Sequence, residues 1–331
     1  MADFRTVDIS ETALHDFDPE VMDKLLLDHT TKKNILWCTD NYAHLGEGYA
    51  ETEEITVEKI TGEHDTLIRP RALKSLDEQR DRTKERGEVF TPAWICNIQN
   101  NLIDNEWFGR EGVFNIENPD NTWTETLEPI SFPEGKTWRD YVRDTRLEIT
   151  CGEAPYLASR YDTISGELIP LNHRIGLLDR KLRVINENVD DHEEWLKWAQ
   201  IAYQNIYGYE WQGDNLLLAR EALLQTFLEY HAAKFGEDYP LQMKSIRYIA
   251  YIISWNLWQM DGIKGVIPNT CGERHIVEST LFGDNERVEV CQGCLNGDIT
   301  KHNGIYARVK DWGCKSKDEN KLKPRFIDLL K

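Results

Sequence analysis

The stretch Leu147-Glu148-Ile149-Thr150-Cys151-Gly152-Glu153-Ala154-Pro155-Tyr156-Leu157 constrains this chain more than any other. It reads as the end of a strand, a tight turn of small residues, and the start of a helix. Gly152 and Ala154 let backbone come close to a ligand, and a helix N-terminus beside them offers free N–H groups. A chain organised around such a turn is expected to fold as an α/β protein.

At 331 residues the chain is long enough for one large or two smaller domains. Eleven Trp and 10% aromatic residues indicate a folded protein. No apolar run is long enough to span a bilayer, and Met1-Ala2-Asp3-Phe4-Arg5 lacks the plan of a signal peptide, so a cytoplasmic location is expected. Seven Cys then read as thiols or metal ligands, not as a disulfide frame. The net charge of −19 favours solubility, and any nucleic-acid contact needs a local basic patch.

Along the chain, the pattern predicts a helix over Pro19–Leu27, a strand over Glu54–Glu58 and a short helix over Thr137–Val142. The most basic stretch of the first half, Arg69 to Arg86, runs into Arg86-Gly87-Glu88-Val89-Phe90-Thr91-Pro92. Thr91 suits an N-cap and Pro92 the first turn of a helix ending near Leu102, with Trp94, Ile95, Ile98 and Leu102 on its apolar face. Residues 158–190 read as an insertion. A helix from Glu193 to Ile206 leads to Tyr207-Gly208-Tyr209-Glu210-Trp211, and Asp214 caps a long helix, Asn215 to Phe235. A buried helix over 241–253 leads to Trp258-Gln259-Met260-Asp261-Gly262. Taken alone, Asp261 is equally a turn residue.

Three of these stretches carry a resemblance in family order. Leu147, Glu148, Cys151, Gly152, Tyr156 and Leu157 are similar to the first cofactor loop of S-adenosylmethionine-dependent adenine DNA methyltransferases, with Ile149 and Ala154 where that family has Pro and Gly. The Gly87-Glu88-Val89-Phe90-Thr91-Pro92 run resembles the signature that precedes this loop, and Tyr207-Gly208-Tyr209-Glu210 the family's second strand end. The resemblance covers roughly residues 80–262. It implies a doubly wound, mostly parallel Rossmann-like sheet. It also implies that Phe90, Thr91 and Pro92 lie over the methionine end of S-adenosylmethionine, with Glu148, Cys151 and Gly152 in the loop beneath. Glu210 is then the acceptor of the ribose hydroxyls, Trp211 a neighbour of the adenine, and Asp261 the partner of the adenine amine. The implied activity is N6-methylation of adenine by the modification subunit of a restriction–modification system. DNA and a restriction or specificity subunit are the implied partners.

The family's Asn/Asp-Pro-Pro-Tyr/Phe tetrad is missing, since no two prolines are adjacent. Its place falls after a fourth strand expected over Gly304–Lys310, where Asp311 and Trp312 are the candidate catalytic stand-ins. Without the tetrad, a catalytically inactive relative acting as a binding or regulatory subunit is an open alternative, as is a methyltransferase for another substrate.

The last third carries Cys271, His275, Cys291, Cys294 and Cys314 as candidate metal ligands. The Cys291-Gln292-Gly293-Cys294 knuckle suits structural zinc. Cys271 and His275 are the expected completing pair, with Cys314 or His302 as substitutes. The basic tail beyond Arg308 beside such a knuckle would suit nucleic acid, and equally a solvated end. The expected organisation is an N-terminal helical and irregular lead-in over 1–85, a cofactor-binding domain over 86–265, and a small Cys-containing module over 266–331.

Overall fold

The computed structural model describes residues 6–280 and 283–330. Met1–Arg5, the stretch that lacks the plan of a signal peptide, lie outside the described residues, as does Lys331. The protein is mixed α/β around a small parallel sheet of three strands: β1 (Arg146–Glu148), β2 (Ile206–Glu210) and β3 (Leu257–Gln259), in that spatial order. Arg146 pairs with Ile206, and Gly208 with Leu257. Each crossover is helical. Helices α3 (Leu177–Asn188) and α4 (His192–Gln204) join β1 to β2. Helices α5 (Gly213–Phe235) and α6 (Met243–Asn256) join β2 to β3. Before the sheet come α1 (Leu76–Arg86) and α2 (Ala93–Phe108).

The two faces of the sheet are covered differently. Ile206 and Leu257 join the main core with Leu178, Leu182, Trp195, Leu216, Phe227 and Ile249 from the crossover helices. Tyr207, Tyr209 and Trp258, which alternate with them, pack on Met260, Ile267, Ala307, Val309 and Phe326. A parallel sheet needs both faces dry. Here helices shield one face and mostly irregular C-terminal chain the other. The expected fourth strand over Gly304–Lys310 is replaced by isolated bridges, Val266 to Tyr306 and Arg308 to Arg325. The module read as separate from residue 266 onward therefore contributes core to the sheet.

Other expectations are corrected locally. Residues 177–188 are no insertion but the first crossover helix. Leu178, Leu182 and Ile185 put its apolar side in the core. Val57–Ile60 is a short helix instead of the tail of a strand, and Glu54 keeps only one bridge, to Leu36. The helix expected over 19–27 is Pro19–Leu26, capped by Asp18, and a further helix, Glu11–Phe17, precedes it.

Helix α2 departs most from its pattern. Trp94, Ile95 and Ile98 are only half-buried and Leu102 is exposed. Its buried residues include a polar row, Asn97, Asn100, Asn101 and Asp104, alongside Ala93, Cys96 and Phe108. Arg180 makes this stable by donating to Asp104 Oδ2 at 2.6 Å, Asn101 Oδ1 at 2.7 Å and Asn97 Oδ1 at 3.1 Å. Tyr141 adds a bond to Asp104 at 3.0 Å. A buried polar network is stable only when its members find partners in this way.

One buried pair has none. Among the described residues, the four carboxylate oxygens of Glu11 and Glu221 lack hydrogen-bond partners, and both residues are 1% exposed. Burial pushes both carboxyls well above the usual carboxylate range. Glu221 adds to the rise at Glu11, and Asp8 and Asp65 to that at Glu221. A raised folded-state value means the fold holds protons that the unfolded chain releases. The stability from these groups is complete below the ordinary value of 4.5 and is lost as pH rises through the folded values. Glu221→Gln is therefore expected to leave urea stability nearly unchanged at about pH 4.5 and to raise it by about 1–3 kcal/mol at about pH 8. Equal effects at both pH values would contradict this account.

Candidate functional site

The carboxyl ends of β1 and β2 open into a cavity of about 830 Å³. Ligands of open α/β sheets bind in this position. Its walls are the loop 87–91, Gln99, Asn100 and Ile103 of α2, the segment 147–152, and Glu210 to Gln212.

The turn after β1 is tightly wound. Thr150, Gly152 and Ala154 have φ of 47°, 54° and 59°. This left-handed conformation is natural for glycine and costs a Cβ-bearing residue about 1–2 kcal/mol. A Cβ on Gly152 would sit 3.4 Å from the Phe90 ring, so the loop and the Phe90 segment close on each other there. Gly208 lies under the turn, where a Cβ would come within 3.2 Å of Cys151 Sγ. Cys151 itself is packing. Burial, with Glu148 and Glu210 nearby, pushes its thiol far above the range in which a thiolate forms.

Across the strand ends, the Gly152 N–H donates to Glu210 Oε2 at 2.8 Å, and the Gln212 N–H to Glu210 Oε1 at 3.1 Å. Burial raises the Glu210 carboxyl in spite of these donors. Glu148 is raised further, by burial and then by the Glu210 charge. One Glu148 oxygen accepts from the Tyr156 N–H at 3.5 Å, and the other has no partner. Asn100 spends its amide on the Tyr156 and Ile175 carbonyls and leaves its oxygen unpaired. Both residues line the cavity, but these two oxygens are buried beneath its wall. Asn100 was not singled out in the sequence. The signal was the stripe Asn97, Asn100, Asn101, Asp104 at helical spacing, overlooked in favour of the apolar residues between.

Helix α2 starts at Ala93, with Pro92 in the N-cap place and no cap from Thr91. Asp162, from the excursion after the turn, supplies that cap by accepting from the Ala93 N–H at 2.7 Å. The Thr91 carbonyl is held by Thr163 at 3.0 Å. Phe90 and Thr91 line the cavity, while Pro92 lies just outside its lining.

Helix α5 begins one turn beyond Glu210. Gly213 lies so close to the Leu36 carbonyl that a Cβ would fall 2.0 Å from it. Asp214 sits inside the helix rather than capping it. Its carboxylate accepts from Tyr42 at 2.8 Å and pairs with Arg82 at 2.8 Å. Burial opposes ionisation, but Arg82 and Lys74 outweigh it and hold Asp214 at about 2. Arg82 also pairs with Glu88 at 2.7 Å. Part of the basic stretch is thus spent inside the protein, fixing the cavity-lining loop onto α5.

Three expected site residues lie elsewhere. Asp261 is outside the cavity lining. It accepts from the Ile263 and Lys264 amides at 2.9 and 3.1 Å and pairs with Lys264 at 3.4 Å, the bonding of a turn residue. Asp311 caps the Gly313 and Cys314 amides at 2.9 and 3.0 Å. Trp312 donates to Asn256 Oδ1 at 2.8 Å and lies under Lys310. The local turn and the core hold these last two, and neither faces the cavity.

A second cluster forms at the base of the antiparallel hairpin β4 (Arg274–Thr280) and β5 (Gly283–Glu289). The ligand atoms of Cys271, Cys291, Cys294 and His302 all lie within 4.8 Å of one another. Cys271 Sγ is 3.3 Å from Cys291 Sγ and 3.6 Å from Cys294 Sγ. His302 Nδ1 is 3.4, 3.5 and 3.6 Å from the three sulfurs. A tetrahedral zinc with ordinary Zn–S and Zn–N bonds spaces its ligand atoms roughly 3.5–3.8 Å apart. The donor set and spacing therefore fit a metal such as zinc. Against burial, the Cys294 and Asn303 amides together with Cys271 and His302 bring the Cys291 thiol down to about 6, while burial and the two neighbouring cysteines push the Cys271 thiol up to about 11. Gly293 is required for the approach of His302, whose backbone N would lie 2.6 Å from a Cβ there.

His302, one of the two substitutes, thus takes the place expected of His275. His275 is committed to β4, opposite Val288, and Cys314 to the turn capped by Asp311. Four protein ligands leave no open coordination position, so the centre can brace structure and is not set up to activate water. No helix among the described residues is long and apolar enough to cross a membrane. In comparisons with known proteins, no family model, curated protein or solved structure matches this chain.

Proposed function

We propose that this chain is an S-adenosylmethionine-binding protein of the adenine N6 DNA methyltransferase type, related to the modification subunits of restriction–modification systems. The observation that carries the reading is the Gly152–Glu210 bond across the ends of neighbouring parallel strands, inside a cavity that Phe90, Thr91 and Glu148 also line. The three strands and their helical crossovers are read as one half of a doubly wound sheet. In this reading the remaining lone pairs of Glu210 take the ribose hydroxyls, and Trp211 lies beside the adenine. Glu148 and Asn100, which both line the cavity, are read as lying beside the ammonium end. The bound cofactor would supply an activated methyl group. The chain's own contribution is to hold it and exclude water. DNA and a specificity or restriction subunit are the partners that follow.

A second reading is favoured by the positions of Asp311 and Trp312. With both engaged away from the cavity, the chain would bind cofactor without transferring methyl, as a regulatory or binding subunit. Calorimetric titration separates the steps. S-adenosylmethionine is expected to bind, and Glu210→Ala to weaken it at least about 30-fold, the loss of buried charge-assisted hydrogen bonds of about 2 kcal/mol. Labelled methyl transfer to DNA then marks the enzyme, and binding without transfer marks the second reading. No binding by a folded wild-type protein would end both.

A further inference from the structure

Charge is spread unevenly over this chain. Residues 28–34 and 308–325 hold nine Lys and Arg against four Asp and Glu, whereas the whole chain carries −19. The fold brings these two segments together, since the Arg308 N–H donates to Thr30 Oγ1 at 3.0 Å. Four of the cations then gather along a row of rings. Lys310 Nζ lies 4.1 Å from the centre of the Trp312 ring and 4.7 Å from that of Tyr251. Lys32 and Lys323 stand 5.4 and 5.6 Å from the centre of the Trp255 ring, which is stacked on His29 at 4.1 Å. His29 lies 5.4 Å from Tyr251 and joins the two halves of the row. The Arg308 guanidinium is held beside it by the Lys323 carbonyl at 2.7 Å.

Lysine stems commonly cover rings, but few carboxylates answer these four cations. Among the described residues, Lys32 and Lys310 form no ion pair. Glu319 is shared. It pairs with Lys323 at 2.8 Å, and Lys32 and Arg308 add to the lowering of its carboxyl that Lys323 begins. Asp28 is spent on the Thr31 amide and hydroxyl, and Asp311 on the amides of its own loop. The row also sits away from the cavity. Tyr251 and Trp255 lie near the end of α6, just before β3 begins, at the amino ends of the strands, while the cavity opens at the carboxyl ends of β1 and β2.

We propose that this face docks the phosphate backbone of a nucleic acid strand, with Lys32, Arg308, Lys310 and Lys323 as its phosphate contacts. Charge complementarity selects a polyanion, and the charge is local to the two segments that form the face. The rings select nucleic acid over an acidic polypeptide. Tyr248 stacks on Tyr251 at 6.0 Å, is 38% exposed, and offers a base a platform beside the cations. Docking at the amino ends holds the strand without presenting a base to the cavity. The inference stands on this face and is independent of what fills the cavity.

The test reads fluorescence anisotropy of a labelled single-stranded oligodeoxynucleotide of mixed sequence against the full chain. At about 50 mM salt it is expected to bind in the micromolar range. Lys32→Glu together with Lys310→Glu is expected to weaken binding at least about tenfold. Lys32→Gln together with Lys310→Gln keeps most of each stem over its ring. That pair is expected to weaken binding at least about threefold with the urea unfolding curve unchanged. It is also expected to flatten the slope of log K against log salt by about 1.4, the share of two single-strand phosphate contacts. Lys197→Glu together with Lys244→Glu makes an equal charge change at exposed positions elsewhere, and is expected to leave binding within about twofold. No binding by the folded wild type, an equal loss in this control, an unchanged salt slope, or displacement by polyglutamate as readily as by unlabelled oligonucleotide would overturn the proposal.

Discussion

Arg220→Ala is expected to cost about 3–5 kcal/mol of folding stability, the range found when one member of a buried charged network is removed. Arg220 lies in the middle of α5 and is fully buried. Its guanidinium donates to four main-chain carbonyls: Leu25 and Leu27 from the N-terminal segment, Ser254 near the end of α6, and Leu257 at the start of β3. Leu27 is met at 3.1 Å, Ser254 at 3.2 Å and Leu257 at 2.7 Å. These carbonyls lie where helical and strand bonding run out, so nothing else replaces the donor. Burial pulls the guanidinium down to about 10, with the Asp28 charge opposing, and it still stays protonated at neutral pH. Arg220→Lys should recover only part of the loss, since an ammonium cannot spread a planar fork over carbonyls from three segments. Urea unfolding followed by far-ultraviolet circular dichroism measures both variants. A loss below about 1 kcal/mol for the alanine variant would remove Arg220 from the role given to it.

The second large effect concerns the Cys/His cluster. Purified under reducing conditions with zinc available, the protein is expected to hold one equivalent of metal, and Cys291→Ser to hold under one-tenth of that. Structural zinc binds small peptides with about 10–16 kcal/mol, and a metal at this cluster would join both ends of one hairpin. Cys271 precedes β4, while Cys291, Cys294 and His302 follow β5. Removing the metal with a chelator should therefore open residues 271–302 to proteolysis. The cooperative unfolding of the main core should persist, because the large apolar cluster around α3 to α6 contains none of the four ligands. A metal content below one-tenth in the wild type would dispose of the centre. Collapse of the whole protein on chelation would instead show that the sheet's second face depends on it.

Much of the architecture was legible because local patterns agreed with the tertiary result. The Gly152 turn, the strand ending in Glu210, and the helices over 192–204, 213–235 and 243–256 follow from small-residue turns and helical apolar periodicity. What escaped were places where a distant partner overrides the local pattern. Helix α2 shows an apolar stripe in sequence, yet Arg180 draws its asparagine face inward. Residues 177–188 lie among loop signals, and their helix acquires meaning only once β1 and β2 are adjacent. Asp311 and Trp312 match half a motif, but the turn at Gly313 and Asn256 claim them first.

The amino-acid sequence by itself placed Gly152 and Glu210 at the carboxyl ends of neighbouring strands, but it also placed Asp261 there, which the structure puts in a turn outside the cavity. The spacing of Gly152 and Glu210 relative to their helices leaves few other ways to bury the apolar faces. It also determined the zinc-suited knuckle, since Cys291 and Cys294 reach one another through local chain. Tertiary structure alone decided the fourth ligand, His302 over His275, because the chain brings His302 Nδ1 among the three sulfurs while the hairpin register places His275 opposite Val288. It decided, too, that the sheet stops at three strands with β1 exposed. The segment expected to continue it, 304–310, is held by bridges to Val266 and Arg325, and hydrophobic burial under Tyr209 and Trp258 keeps it on the second face.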